Sequence, residues 1–130
     1  MKISQLAQAT KVPAKTIRYY ESIGLLTPPS RGENGYRYYR ARDAEMLIFI
    51  RRCRELNIPI QDIKQLVQVQ QNPEASCATV DFIIAEQLQR VRQMQQELNQ
   101  LERTLNSLVT SCSSEQIQDC CILQSLMTVE

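Results

Sequence analysis

Residues 80–108, VDFIIAEQLQRVRQMQQELNQLERTLNSL, decide the fold. Within them Val80, Ile84, Val91, Met94, Leu98, Leu101, Leu105 and Leu108 keep the alternating four-three spacing of a coiled-coil seam, and Gln87 is its only polar member. At 1.5 Å per residue, the 28-residue step from Val80 to Leu108 is a rod of roughly 42 Å. Cys77 lies just before this rod and Cys112 just after it, so the two thiols cannot meet within one chain. A second copy packed antiparallel brings its own Cys77 to the first copy's Cys112. Seam and cysteines together therefore predict a homodimer with two thiolate sites, each shared between subunits. The competing reading is a core helix of a monomeric bundle. Against it, the other elements are too few to bury so long an apolar edge, and Gln89, Arg90, Gln93, Gln96 and Arg103 give the remaining faces to solvent.

The rest of the chain sets limits on what this rod serves. With 130 residues, 43% of them apolar, there is room for one small domain and an extended helix. No stretch approaches the ~18–20 consecutive apolar residues of a membrane span. Lys2, Gln5, Gln8 and Lys11 interrupt the region where a signal peptide needs its apolar core, which predicts a cytoplasmic protein with no membrane partner. The net charge of +1 conceals an asymmetry: residues 1–64 carry 12 Lys or Arg against 6 Asp or Glu, whereas residues 65–130 carry 3 against 8. The first half suits a polyanion and the second does not. All five tyrosines also lie in the basic half.

That half breaks into short pieces. Ile3, Leu6 and Ala7 form one helical face, Lys11-Val12-Pro13 turns the chain, and a second helix runs from about Ala14 to Ser22, stopped by Gly24. This is a helix-turn-helix pattern, whose second helix offers its N-terminal half, Lys15, Thr16, Arg18 and Tyr19, to the major groove of double-stranded DNA. Two short strands follow around an Asn34-Gly35 hairpin turn, a wing on which Arg31, Tyr36 and Arg37 are placed to grip phosphates. A third helix is expected to begin near Asp43 as its cap, with Met46, Leu47, Ile50 and Cys53 on one face. Ile60, Ile63, Leu66 and Val67 mark a fourth, and Asn72-Pro73 opens a linker near 71–76. Ile17, Tyr20, Leu25 and Leu26 belong to packing, while Arg51, Arg52 and Arg54 are either phosphate contacts or a solvated face.

Thr16-Ile17-Arg18-Tyr19-Tyr20-Glu21, Gly24-Leu25-Leu26, Asn34-Gly35-Tyr36-Arg37-Tyr38-Tyr39 and Phe49-Ile50-Arg51-Arg52-Cys53-Arg54-Glu55-Leu56 together resemble the signature of MerR-type transcriptional regulators. The resemblance runs over nearly the whole chain. It implies a mainly α fold: a winged helix-turn-helix DNA-binding domain with helical connector over residues 1–75, a dimerisation helix over 76–110 forming an antiparallel coiled coil, and a metal-binding loop with short C-terminal helix over 111–130. It also implies a regulator that sits on a promoter with an overlong spacer and, with metal, bends and underwinds it so that RNA polymerase engages. Within the family, Cys77, Cys112 and Cys120, the last followed by Ile122-Leu123-Gln124-Ser125-Leu126, are similar to the cadmium- and lead-responsive branch. Members that sense monovalent copper, silver or gold carry Ser where this chain has Cys77. Cys121 departs from the pattern and leaves open which of the adjacent pair is the ligand.

The donor chemistry points the same way. Three soft thiolates favour cadmium, lead, zinc, mercury or copper(I) over magnesium and calcium. With no histidine in the chain, a tetrahedral zinc site needs Cys121, water or a carboxylate as its fourth ligand. Three-coordinate sulfur suits lead, cadmium or mercury better, and two-coordinate copper(I) leaves Cys77 without a role. Cys53, on an apolar helix face, reads as core, whereas Cys112 and Cys120 sit in a loop with Ser111, Ser113, Ser114, Glu115 and Asp119, where ligation is more natural. The rival readings are a thiol redox regulator on the same DNA and a metal buffer without regulation. No catalytic constellation is present in the sequence, and no enzyme is expected.

Overall fold

The computed structural model describes residues 1–111 and 115–128, so Cys112 lies outside the described residues. The described chain is mainly helical: α1 (Ile3–Thr10), α2 (Ala14–Ser22), β1 (Ser30–Arg31), β2 (Arg37–Tyr38), α3 (Ala41–Glu55), α4 (Ile60–Gln70), α5 (Ala78–Thr110), a 3₁₀ turn at Ile117–Asp119 and α6 (Cys121–Met127). It divides into two compact units, Met1–Gln87 and Leu88–Glu130. Among the described residues no helix is long and apolar enough to cross a membrane.

The first unit is built around one apolar core. Leu6 from α1, Ile17 and Tyr20 from α2, Leu47, Ile50 and Cys53 from α3, and Ile63, Leu66 and Val67 from α4 are all buried. Val12, Leu25, Leu26, Tyr39 and Ile58 close the core from the connecting turns. The i, i+3 and i, i+4 spacing of these residues gives each short helix one buried stripe. Packing of that stripe is what holds helices of eight to eleven residues together, since alone they are too short to persist in water. Ile83, on the second turn of α5, is also buried here, so the long helix begins as part of this unit.

One local feature differs from the sequence expectation. Helix α3 starts at Ala41, with Arg40 as its N-cap, and Asp43 stands inside the first turn, where its Oδ2 accepts the Arg40 backbone N–H at 2.8 Å. A carboxylate is stabilising at either place, because both lie at the positive end of the helix dipole. The wing is a hairpin turning at Asn34-Gly35, with a loop one residue longer than that pair. The strands pair antiparallel, Ser30 with Tyr38 and Arg31 with Arg37. The Gly35 N–H donates to Gly32 O at 2.9 Å while the Gly32 N–H donates to Tyr36 O at 3.0 Å. These two bonds enclose a three-residue loop, Glu33-Asn34-Gly35, with Gly35 left-handed at φ 80°. At Gly32 a Cβ would meet Tyr38 Cε2 at 2.6 Å, so the Tyr38 ring has to shift to admit one.

In the second unit α5 continues to Thr110, followed by the 3₁₀ turn and α6. The seam positions Met94, Leu98, Leu101 and Leu105 are between 43% and 63% exposed in the single chain, although they are among its most apolar residues. Val91 and Leu108 are half-buried, and α6 has no buried residue.

Candidate functional site

Helix α2 turns Ile17 and Tyr20 into the core, and its 3.6-residue period then leaves Lys15, Arg18 and Tyr19 on the solvent side, with Thr16 half-buried between the two faces. The helix is held at its start by the Ile17 N–H donating to Pro13 O, and it ends where the Leu25 and Leu26 N–H groups both donate to Tyr20 O. Four residues expected to face DNA thus stand together on one short, firmly seated helix.

The wing is fastened to that helix by one carboxylate. Glu21, near the end of α2, accepts a hydrogen bond from the Tyr39 hydroxyl through Oε1 and an ion pair from Arg37 Nη1 at 3.1 Å through Oε2. The Glu21 side chain is 8% exposed and Arg37 is 41% exposed, so the carboxylate is the sheltered partner. Tyr39 is itself buried; burial first, and then the neighbouring Glu21, push its hydroxyl up to about 12. A cleft of about 330 Å³ between α2 and the wing is lined by Arg18, Glu21, Ser22, Pro28, Pro29, Arg31 and Arg37. The fold therefore brings arginines of the helix and of both wing strands to one cleft, together with Glu21. Tyr36 projects from the wing loop, 63% exposed, with Lys2 Nζ 5.9 Å from its ring centre. Glu21 was not singled out in the sequence reading. Its position in the Tyr20-Glu21 step was visible, but its partners lie 16 and 18 residues away.

Three of the four arginines of α3, Arg51, Arg52 and Arg54, stand in different surroundings. Arg54 Nη1 donates to Ile58 O at 2.8 Å and braces the α3–α4 turn. Arg51 has its Nε buried without a hydrogen-bond partner among the described residues. Arg52 is exposed.

The cysteines also divide. Cys53 is buried in the core, and burial pushes its thiol up from the ordinary value, which keeps it protonated and inert. Cys77 is exposed immediately before α5, where its carbonyl accepts the Asp81 N–H at 2.9 Å. Cys120 is half-buried between the 3₁₀ turn and α6, and Cys121 is exposed at the first position of α6, its Sγ 3.9 Å from Asp119 O. Among the described residues of the single chain, no three Cys, Asp or Glu side chains come together as a metal group. The exposed thiols and the absence of histidine still make a donor set suited to a soft ion.

Comparison with known proteins gives this geometry its context. Residues 1–70 match the model for MerR HTH family regulatory proteins, and residues 44–108 match the MerR DNA-binding model. The chain is 38% identical over 126 residues to the transcriptional regulator HmrR of Rhizobium leguminosarum, covering 97% of each protein. It is 34% identical to the transcriptional regulator CueR of Vibrio cholerae, covering 97% of this chain and 91% of that one. The crystal structure of the regulator PbrR691 from Ralstonia metallidurans, solved in complex with lead(II), superposes with a TM-score of 0.89 at 36% identity, over 97% of this chain and 98% of that one.

Proposed function

This chain belongs to the MerR family of helix-turn-helix regulatory proteins, and on that premise we propose that it is a dimeric, metal-responsive transcription regulator whose effector is a divalent soft metal ion. The observation that carries the reading is the exposed apolar stripe of α5 with an exposed thiol before it and further thiols after it. Such a stripe on a lone helix is unstable in water, and a second copy laid antiparallel covers it. The same operation brings Cys77 of one subunit to Cys112 and Cys120 of the other, with Cys121 as an additional or alternative donor. When bound, the ion ties those two chain segments together across the dimer.

Lead(II), cadmium(II) and mercury(II) fit three thiolates best, and zinc(II) is accommodated with a fourth donor. Likeness to PbrR691, which was solved with lead(II), supports the divalent class. Likeness to HmrR and CueR does not separate the metals, and Cys77 is the residue that argues against copper(I), which needs only two thiolates. The protein acts by binding rather than by catalysis, in the cytoplasm.

Two α2 helices, one per subunit, present Lys15, Thr16, Arg18 and Tyr19 to successive major grooves of a pseudo-palindromic operator. Arg31, Tyr36 and Arg37 on the wing hold the flanking backbone, with Arg37 set in place by Glu21. Filling the thiolate sites favours one placement of the two DNA-binding units over another. The operator is bent and underwound to suit, at an elastic cost set by its uncontacted centre, and RNA polymerase meets a promoter of altered geometry.

The test mixes subunits. Cys77→Ser and Cys112→Ser homodimers are each expected to lose the sulfur-to-metal charge-transfer band with lead(II) and cadmium(II) while keeping operator binding; their heterodimer retains one intact site and half the band. Recovery of no band refutes sharing between subunits. Arg18→Ala is expected to do the reverse, losing operator affinity and keeping the metal band.

A further inference from the structure

Gln87 interrupts the apolar seam, and the fold supplies a reason. It is 7% exposed, and its Nε2 donates to Leu56 O and to Asn57 O, both at 3.0 Å. Those carbonyls belong to the end of α3, where Asn57 turns left-handed at φ 60° and the last carbonyls of the helix lose their intrahelical donors. The N–H groups of the turn are engaged elsewhere: Leu56 N donates to Arg52 O and Cys53 O, Asn57 N to Arg54 O, and Ile58 N to Cys53 O. One amide on α5 thus serves two carbonyls of the α3–α4 turn from 30 and 31 residues away.

The residues around it show where α5 changes surroundings. Val80, Ile83 and Gln87 stand at i, i+3 and i+7 on one stripe, and all three pack into the DNA-binding unit: Val80 against its core, Ile83 and Gln87 buried. Ile84 and Leu88, on the neighbouring stripe, are 46% and 47% exposed. Gln87 is the last α5 residue of the first unit.

We propose that Gln87 is a positioning residue through which the setting of the long helix is passed to the α3–α4 turn, and so to the DNA-binding unit. This rests on the metal-responsive reading above. The argument is one of directionality. An apolar side chain at this position continues the seam, and apolar contact is non-directional, so the helix is able to roll or slide against the turn at little cost. Hydrogen bonds weaken steeply once the donor angle falls below about 120°. A roll of one residue is roughly 100° about the helix axis, far beyond what either bond survives. Two bonds from one amide to two successive carbonyls therefore fix both rotation and axial position. A shift of α5 has either to carry the turn with it or to leave two carbonyls without their donor.

Gln87→Met keeps the reach of the side chain and removes the donor. Three readouts are taken on wild type and variant: operator affinity, the charge-transfer titration with lead(II) and with cadmium(II), and the metal-dependent change in fluorescence of 2-aminopurine at the promoter centre. The variant is expected to match wild type in the first two and to lose about fivefold or more of the third, a typical allosteric coupling factor. A variant that melts lower but keeps the full metal-dependent fluorescence change makes Gln87 a structural residue only and overturns the proposal. Hydrogen exchange on the wild-type dimer decides independently of whether the variant folds. Metal is expected to change the protection of the Leu56, Asn57 and Ile58 amides, and unchanged protection overturns the coupling. A wild-type protein indifferent to every metal overturns the functional reading and this inference with it, whereas a wild type that responds beside an equally responsive Gln87→Met overturns the coupling alone.

Discussion

Replacing Tyr39 with Phe removes one hydroxyl and keeps the ring that fills the core. The hydroxyl donates to Glu21, whose side chain is only 8% exposed, so the variant leaves a sheltered carboxylate with Arg37 as its remaining charged partner in the wing. Hydrogen bonds to charged groups contribute about 1.5–3 kcal/mol, and the expected loss is about 2 kcal/mol in urea unfolding at constant m-value. The pH dependence provides a second measure. Tyr39 stands at about 12 in the folded protein, raised from 10.0 first by burial and then by Glu21. A folded value above the unfolded one means that the neutral hydroxyl stabilises the fold. That stability is fully present below about pH 10 and is lost as pH rises toward 12, at up to ~1.4 kcal/mol per unit. Wild type should therefore shed roughly 2–3 kcal/mol more than Tyr39→Phe between those two values, and the two stability curves should converge. A cost at pH 7 below ~0.5 kcal/mol would refute the idea that this contact holds the wing to α2, and parallel curves through that window would refute the raised value of the hydroxyl.

Three further outcomes follow from separate parts of the structure. Gly32→Ala places a methyl group 2.6 Å from the Tyr38 ring, an overpacking of ~1–3 kcal/mol confined to the wing; operator affinity should fall while helical circular dichroism stays the same. Leu98→Glu puts a charge in the middle of the exposed apolar stripe and should give a monomer by sedimentation with the first unit still folded, and a persistent dimer would remove the seam from the interface. Cys53→Ser buries a hydroxyl in an apolar core at a cost of ~1–3 kcal/mol and should leave the number of sulfur ligands per metal unchanged, in contrast to Cys77→Ser.

Much of this architecture is visible along the chain because the forces that specify it act over a few residues. The stripes of α1 to α4 and the four-three seam of α5 are repeats of apolar side chains, and burying a repeat requires the helix whose period it matches. Cys53 reads as core from its place on such a stripe, and it is buried. Where two local rules agree on a residue but not on its position, the chain alone does not choose. Asp43 suits the cap and the first turn equally, and Asn34-Gly35 suits a two-residue and a three-residue loop; the choice falls to neighbouring bonds such as Arg40 N–H to Asp43 and Gly35 N–H to Gly32 O.

By itself the sequence determined the helices, the wing, the basic half and the thiols that bracket a long apolar rod, since composition and period are properties of a segment. Only the tertiary structure decided which tyrosine turns inward to meet Glu21, which arginine is spent on that carboxylate, and why a glutamine stands in the seam. Each of those is a bond between residues 16 to 31 positions apart. A polar side chain states what it is able to bond. Which group it does bond depends on the elements that packing brings within about 3 Å of it.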